Sequence, residues 1–233
     1  NSQTQDNFAW RANAEYTPND NTLLYATFSR GYKAGGFPLI AASRTVQFNP
    51  VRQEALTSYE LGTKLRLLDG KLRLNVSGFY YDYTDKQIFG RTPDVIFGTL
   101  SRIDNIPESH EYGIEADLMW QISNSLRFSA AGVWLKSKVD RYSGYDQFSR
   151  AADFAGKPYA YTPEFQGNAL ISYDQPVSEK LSVNATVAVS YQGKTNASQG
   201  QLAQFAIKDY ALVGATLGLA SSAGWSATLF AQN

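Results

Sequence analysis

Eight arginine and aromatic residues are the side chains best suited to chemistry in this sequence, and all lie between the segments that read as strands. They are Tyr32, Phe37, Arg44, Arg91, Arg102, Arg141, Tyr142 and Tyr145. Arginine forms charge-assisted, often bidentate hydrogen bonds with anions, and aromatic rings supply flat surfaces for stacking. The set predicts a site for an anionic, partly aromatic ligand. The alternative is that these residues only pack one loop against another.

A second set of charged residues recurs at alternate positions inside strand-like segments. Its members are Arg11, Glu15, Glu60, Lys64, Arg73, Glu111, Glu115, Asp117 and Arg127. Successive side chains of a strand point to opposite faces, so this spacing predicts one charged face and one apolar face. The charged face is either simply solvated or is a wall that holds another domain.

Neither set reads as a catalytic or metal centre. Glu111, Glu115 and Asp117 share a face, but a single histidine, His110, and no cysteine accompany them, which argues against a metal site. The glycine-rich stretch Gly31–Gly36 follows a strand and opens a loop, so it lacks the helix that phosphate binding needs. No serine-nucleophile motif appears. We expect a protein that is not an enzyme and that has no cofactor.

The amino-acid composition argues against several further classes of protein. The 233 residues include 21 basic and 21 acidic ones, and zero net charge argues against nucleic-acid binding. The absence of cysteine excludes a disulfide framework. The sequence contains no run of about eighteen apolar residues, so it predicts no transmembrane helix. The mean hydropathy of −0.33 is usual for soluble proteins, but alternation of apolar and polar residues hides a membrane barrel from this average.

Alternation with a period of two runs through most of the chain and predicts about ten strands. The predicted strands are 8–16, 22–30, 54–67, 71–83, 111–121, 126–136, 164–174, 181–192, 207–220 and 225–233. Strands of soluble proteins usually have five or six residues, whereas a tilted membrane strand needs about 9–11. The strand lengths therefore favour a membrane barrel.

The connections between these strands alternate between short and long. Short turns are predicted at 17–21, 68–70, 122–125, 175–180 and 221–224, and long loops at 31–53, 84–110, 137–163 and 193–206. Outer-membrane barrels have short periplasmic turns and long extracellular loops. We therefore predict an antiparallel, up-and-down transmembrane β-barrel. A soluble β-sandwich is the alternative.

Aromatic residues near the predicted strand ends support the same interpretation. They are Tyr16, Trp120, Tyr173 and Trp225 near the short turns and Tyr80, Trp134 and Tyr191 near the long loops. Two aromatic girdles suit the two interfaces of a bilayer. A basic residue at the bilayer midplane costs about 2–4 kcal/mol, so the charged face should line the lumen. With long loops outside, both ends of the segment would lie outside, which predicts that strands are missing before and after it.

Four stretches resemble the C-terminal part of the barrel of TonB-dependent outer-membrane receptors. They are LLYATFSRGYKAGGF (Leu23–Phe37), NPVRQEALTSYELGTKLRLLDGKLRLNVSGFYYDYTDKQI (Asn49–Ile88), SHEYGIEADLMW (Ser109–Trp120) and LFAQN (Leu229–Asn233). The resemblance implies a 22-stranded barrel whose lumen is closed by an N-terminal plug. Residues 1–233 would then be the C-terminal half without its last strand, and the plug and first half of the barrel would be absent.

The resemblance also implies a function in the outer membrane of a Gram-negative bacterium. An extracellular ligand would bind the loops and plug, and the TonB system would supply energy for import through the plug. A ferric siderophore is the leading ligand, and cobalamin, haem and oligosaccharides stay open. The expected partners are TonB, the plug held by the nine charged residues, the ligand and outer-membrane lipid. The alternatives are a passive porin or structural barrel, or a soluble β-sandwich binding module.

Overall fold

The structure is a computed structural model that describes residues 4–37 and 43–233. Its main element is an antiparallel sheet of ten strands, and four short strands form two separate pairs. In chain order the strands are β1 (Trp10–Asn19), β2 (Thr22–Lys33), β3 (Glu54–Leu67), β4 (Leu72–Asp94), β5 (Gly98–Gln121), β6 (Leu126–Arg141), β7 (Ser143–Tyr145), β8 (Ala151–Asp153), β9 (Phe165–Ser178), β10 (Leu181–Gln192), β11 (Thr195–Asn196), β12 (Ala206–Ile207), β13 (Tyr210–Ser221) and β14 (Ser226–Gln232).

The main sheet is an up-and-down meander. Its strand order is β1-β2-β3-β4-β5-β6-β9-β10-β13-β14, so each long strand lies beside the long strand that precedes it along the chain. The β7–β8 pair lies within the connection between β6 and β9, and the β11–β12 pair within the connection between β10 and β13. The predicted all-β, ten-stranded antiparallel architecture is confirmed.

The turn between β3 and β4 shows how local sequence sets the pairing. Leu68, Asp69 and Gly70 have φ angles of 53°, 53° and 81°. Glycine enters this left-handed region without steric cost, and aspartate tolerates it better than most residues. The tight reversal lets β3 and β4 pair without interruption from Leu67 opposite Leu72 to Ala55 opposite Thr84.

The segment 84–110, predicted as a long loop, is instead mostly strand. β4 continues to Asp94 and β5 starts at Gly98, with Asp94 opposite Gly98 at the tip of the hairpin. The prediction was wrong because it relied on alternation. Above the membrane neither face has to be apolar, so the ladder continues where the pattern stops. The predicted loop 31–53 includes residues 38–42, which lie outside the described residues.

The register separates an apolar face of the sheet from a polar one. Directly opposed residues of neighbouring strands point to the same face, so Val76, Ala116 and Gly132 form one row of the apolar face. Large side chains on this face are exposed, as Leu61 (67%) and Ile114 (50%) show. An exposed apolar surface of this extent fits a lipid environment and does not fit a soluble sandwich.

Aromatic rings form a belt on the apolar face near the long connections. Its members, in order across the sheet, are Trp10, Phe28, Tyr59, Tyr80, Tyr112, Trp134, Phe165 and Tyr191. Ring centroids lie 4.6 Å apart for Phe28 and Tyr59 and 6.1 Å apart for Tyr112 and Trp134. The exposed rings of Tyr16, Trp120, Tyr173 and Trp225 lie at the opposite end of the sheet, by the short turns.

Helical structure in the described residues is limited to two short 3-10 turns, Thr45–Phe48 and Ala203–Phe205. Within residues 4–37 and 43–233, no helix is long and apolar enough to cross a membrane.

An arginine placed on each face tests the assignment of the faces. Ala116 lies on the apolar face of β5, and Ala131 lies on the polar face of β6, one residue from Gly132, the partner of Ala116. We expect Ala116→Arg to lower the free energy of unfolding by about 2–4 kcal/mol, because its charge would enter lipid. Ala131→Arg should cost much less. Urea unfolding of the protein in lipid vesicles measures both, and equal losses would contradict the assignment.

Candidate functional site

The nine charged residues that the sequence predicts on one face do share it. The register places Arg11, Glu15, Glu60, Lys64, Arg73, Glu111, Glu115, Asp117 and Arg127 on the polar face. Side chains from eight strands, β2 to β13, line a cavity of about 690 Å³ on this side of the sheet. The polar face is therefore the concave face, as a lumen wall requires.

Charge is distributed unevenly over this wall. Glu15 and Glu115 lie in one row with Tyr25 and Ser77. The next row toward the short turns contains both Asp117 and Lys64, with Asn75 between them. Still closer to the short turns lie Arg66, Arg73 and Arg127, and then Asp174.

Neutral donors, not ammonium or guanidinium groups, hold the acidic side chains of the wall. Tyr25 Oη donates to Glu60 Oε1 at 2.7 Å, and Asn75 Nδ2 donates to Asp117 Oδ2 at 2.9 Å. Within the described residues, none of the nine charged side chains forms an ion pair with another protein group. The wall is therefore ordered by hydrogen bonds while its charges stay available to whatever occupies the lumen.

Tyr25 lies flat across Gly62, and this packing fixes one acid of the wall. A Cβ atom on Gly62 would lie 2.4 Å from Tyr25 Cζ. The ring can reach Glu60 and pass 5.8 Å beneath Lys64 Nζ only because position 62 has no side chain. Gly62, the glycine of the sequence Tyr-Glu-Leu-Gly, therefore leaves the space that the Tyr25 ring of the neighbouring strand occupies.

We expect Gly62→Ala to displace the Tyr25 ring and to lower the free energy of unfolding by about 1–3 kcal/mol. Gly31→Ala is the matched control, because Gly31 lies on the same face of β2 and its Cβ would meet nothing within 4 Å. Urea unfolding in detergent compares the two variants. Equal stability would show that the Tyr25 ring is not constrained by Gly62.

Above the wall, the connection between β6 and β9 folds into a small apolar core. Ile106, Val139, Tyr142, Phe154 and Tyr159 are buried together there. Phe154 N donates to Tyr142 O at 2.9 Å, and Gly156 N donates to Val139 O at 2.8 Å, so the connection is anchored to the end of β6. This loop core gives a fixed shape to the end of the sheet at which the long connections lie.

The loop core lies on the lumen side of the sheet. Tyr83, which points from the polar face, meets Tyr159 edge-on at a centroid distance of 6.5 Å. Lys86 Nζ lies between the two rings, 3.5 Å from the Tyr83 centroid and 4.8 Å from that of Tyr159. Burial lowers the pKa of Lys86. These contacts place the β6–β9 connection over the mouth of the lumen.

A pocket of about 180 Å³ lies where three of the long connections meet. The β4–β5 hairpin contributes Gly90 and Arg91, the β6–β9 connection contributes aromatic rings, and the β10–β13 connection contributes Gln199. The aromatic side chains that line this junction pocket are Phe89, Tyr142, Tyr145, Phe154 and Tyr161. These flat rings offer surface for stacking.

The structure brings together some of the eight predicted ligand residues and separates others. Arg91, Tyr142 and Tyr145 line the junction pocket. Arg102 lies nearby, with its Nη2 3.5 Å from Asp104 Oδ1. Arg141 forms an exposed ion pair with Glu108 at 2.7 Å. The others, Tyr32, Phe37 and Arg44, lie at the end of β2 and in the connection after it.

Two details of these predictions need correction. Five of the eight residues were predicted in loops but lie in strands, because backbone pairing continues beyond the end of the alternation. They are Tyr32 in β2, Arg91 in β4, Arg102 in β5, Arg141 in β6 and Tyr145 in β7. Tyr142 is only 5% exposed. Its ring stacks on Phe154, and its hydroxyl donates to Asp104 Oδ2 at 3.1 Å. Burial, and then the Asp104 carboxylate, raise the pKa of Tyr142, so the hydroxyl stays neutral and supports the pocket.

Sequence reasoning missed Phe154, Tyr161, Gln147 and Gln199, which also line the junction pocket. Phe154 follows Asp153 in a stretch without alternation, and Gln199 lies in a polar connection. Nothing local marks these residues. Their position depends on contacts between connections, such as the hydrogen bond from Gln199 Nε2 to Pro158 O at 3.1 Å.

Asp94 at the tip of the β4–β5 hairpin ties the hairpin to the connection between β2 and β3. Its carboxylate accepts hydrogen bonds from Ser43 N (2.9 Å), Ser43 Oγ (2.6 Å), Ile96 N (2.8 Å) and Phe97 N (2.9 Å). Burial alone would raise the pKa of Asp94, but these hydrogen bonds outweigh it and lower the pKa. The Asp94 carboxylate therefore contributes to the free energy of unfolding. This contribution is fully present above the unfolded-state pKa near 3.9 and is lost as pH falls through the lower pKa of the folded state.

We expect Asp94→Asn to loosen this contact, because the amide nitrogen cannot accept hydrogen bonds from the donors that face it. At pH 7, hydrogen exchange of the peptide around Ser43 should become faster by on the order of tenfold. Asp153→Asn is the control, because Asp153 accepts only a local bond from Ala155 N. Unchanged exchange at Ser43 in the Asp94 variant would contradict the prediction.

A meander of long strands, with an apolar outer face, aromatic belts and a charged concave face, defines part of the wall of a transmembrane β-barrel. The chain belongs to the family of TonB-dependent receptor-like β-barrels, whose family model matches residues 1–233. This confirms the resemblance found in the sequence. The family consists of outer-membrane receptors and transporters of Gram-negative bacteria, not of enzymes.

Solved structures support the fold. The ferric yersiniabactin uptake receptor FyuA from Yersinia pestis has a TM-score of 0.76 at 16% identity, over 96% of this chain and 31% of FyuA. The siderophore receptor PiuA from Acinetobacter baumannii has a TM-score of 0.67 at 16% identity, over 96% of this chain and 35% of PiuA. BauA, the ferric preacinetobactin receptor of the same species, has a TM-score of 0.67 at 14% identity, over 96% of this chain and 31% of BauA. The chain thus spans about a third of each.

Proposed function

We propose that this chain is the C-terminal part of the barrel of an outer-membrane receptor that binds an extracellular ferric siderophore and imports it with energy from TonB. The observation that carries the proposal is the division of one sheet into a lipid-facing apolar face and a charged concave face, with folded extracellular connections above the latter. FyuA, PiuA and BauA are named as receptors for siderophores or their ferric complexes, which favours the same ligand class.

In this proposal the wall holds the plug. In the acidic group of Glu15, Glu60, Glu115 and Asp117, three side chains accept hydrogen bonds from the neutral donors Asn13, Tyr25 and Asn75. None of the four acids forms an ion pair within the described residues. A plug with basic groups at mid-height would pair with this group, and acidic groups of the plug would pair with Lys64, Arg66 and Arg73. Such paired surfaces fix the orientation of a partner.

The ligand would arrive at the other end of the molecule. The upper ends of β2, β4, β5 and β6 and the connections that follow β2 and β6 lie above the aromatic belt. They carry the predicted ligand residues Tyr32, Phe37, Arg44, Arg91, Arg102, Arg141 and Tyr145, with Tyr142 behind them. Their guanidinium groups and rings suit an anionic iron chelate with aromatic groups. No residue of this proposal performs bond-breaking chemistry, and nucleic acid plays no part.

The test is uptake of radiolabelled ferric chelates by Gram-negative cells that express the full-length receptor. We expect accumulation that requires both the receptor and TonB and that stops when a protonophore abolishes the proton gradient. Uptake that continues without TonB would favour the passive porin. Recovery of the receptor in the soluble fraction would contradict the membrane assignment altogether.

A further inference from the structure

We propose that the lipid-facing side of β5, β6 and β9 carries a site for one phosphorylated, acylated lipid of the outer leaflet. The phosphate of this lipid would lie in a pocket just above the aromatic belt, and an acyl chain would lie in a groove just below the belt. The inference uses the proposed orientation, with the long connections outside the cell. It does not depend on which ligand the receptor imports.

The pocket above the belt has a volume of about 260 Å³ and lies at the upper edge of β6. The ladder between β6 and β9 ends where Trp134 lies opposite Phe165. Above this point the segment 156–164 runs along the edge of β6 and leaves a gap. Lys136 and Lys138 of β6 line this gap, which we call the headgroup pocket.

The register places both lysines on the lipid-facing side. Lys136 lies directly opposite Tyr112, and Lys138 lies directly opposite His110. Tyr112 belongs to the aromatic belt, and the His110 ring stacks with it at a centroid distance of 6.4 Å. Directly opposed residues point to the same face of a sheet. The two ammonium groups therefore leave the sheet on the side of the lipid, level with the belt and one row above it.

Lys136 supplies a positive charge that no carboxylate of the described residues balances. Lys138 Nζ lies 3.3 Å from Asp140 Oδ1, so its charge is partly compensated. Glu164 also lines the headgroup pocket, but within the described residues it forms no ion pair with either lysine. Ammonium groups bind phosphate oxygens through charge-assisted hydrogen bonds, so an anion is the partner that Lys136 lacks.

A backbone donor points to the same gap. Leu135 N donates across this edge of β6 to Glu164 O at 2.9 Å. Val139 N donates across it to Lys157 O at 2.8 Å. Because N–H groups of a strand point to one edge at every second residue, the N–H of Ser137 points to this edge as well. No acceptor for it lies within the described residues. A phosphate oxygen in the headgroup pocket would be such an acceptor.

Below the belt, the apolar face of the same strands is hollow. Gly132 lies opposite Gly167, and in the next row Ala130 lies opposite Ala169. These four small residues line a groove of about 390 Å³, which Phe165 borders. A chain that lies in a groove makes more van der Waals contacts than a chain that crosses bulky side chains. The acyl groove therefore suits a hydrocarbon chain that stays in one place.

The spacing of the two parts matches one lipid molecule. Gly132 and Lys136 lie four residues apart on β6, which is about 13 Å at 3.3 Å per residue. The headgroup layer of one leaflet is about 5–8 Å thick. A lipid whose phosphate contacts Lys136 thus has the upper part of its acyl chains at the height of the acyl groove. One molecule can occupy both parts, which neither a free anion nor an uncharged lipid can do.

The experiment titrates the detergent-purified full-length receptor with lipid A, a phosphorylated and multiply acylated glycolipid, and counts the bound molecules by native mass spectrometry. Lipid A without its phosphates and inorganic phosphate are the comparison probes. We expect one lipid A molecule to be retained more tightly than either. Lys136→Gln should weaken its binding about 10-fold, because a charge-assisted hydrogen bond is lost. Lys208→Gln is the control, because Lys208 is exposed and does not line the headgroup pocket.

A second pair of variants tests the acyl groove. Ala130→Phe would fill it with a ring, so we expect a smaller bound fraction of lipid A. Ala26→Phe is the control, because Ala26 lies opposite Ala14 on the apolar face of β2, away from both parts of the site. Both side chains face lipid, so both variants should fold. Equal binding by the two variants would contradict a role for the acyl groove.

Three further outcomes would overturn the inference. Equal retention of lipid A with and without its phosphates would show that the headgroup pocket does not select phosphate. Binding of inorganic phosphate as tight as that of lipid A would indicate a simple anion site. A receptor dimer that Ala130→Phe dissociates would show that a second copy covers the acyl groove. None of these results affects the proposed import function, which the uptake of ferric chelates tests separately.

Discussion

The structure depends on one constraint, which is that hydrocarbon offers no hydrogen-bond partners to a peptide group. Each strand must therefore give its N–H and C=O groups to its two neighbours. Once the ladder is formed, each side chain has two directions only, toward lipid or toward the lumen. The apolar row of Val76 and Ala116 and the charged row of Glu15 and Glu115 both follow from that choice.

The same constraint explains how much of the fold can be predicted from the sequence. The bounds of β3 and β10 match the predicted strands. In both strands the alternation of apolar and polar residues stops where the strand leaves the lipid, and the chain turns at the same place. The upper parts of β4 and β5 could not be found in this way. Above the membrane, the ladder between Lys86 and Asp94 is held by backbone bonds and has no requirement for an apolar face.

The candidate site divides along the same line. The face of the sheet to which Glu60 or Arg73 points can be predicted from the sequence, because side chains alternate between the two faces with a period of two residues. The surroundings of Tyr142 cannot, because they depend on Asp104 and Phe154, which reach it from other parts of the chain. Tyrosine suits both a binding surface and a core, so residue type alone does not decide between them. Only the folded connections show that Arg91 lacks a carboxylate partner within the described residues while Arg102 has one.

The irregularity in the middle of β4 has a consequence for side-chain direction. This strand has 23 residues, and its ladder with β5 is interrupted at Asp85, whose φ angle is 55°. Below Asp85, Tyr83 points from the polar face, and above it Lys86 reaches the same side, with its Nζ 3.5 Å from the centroid of the Tyr83 ring. One residue in the left-handed region therefore reverses the parity of the strand, so that odd-numbered residues face the lumen below it and even-numbered ones above it.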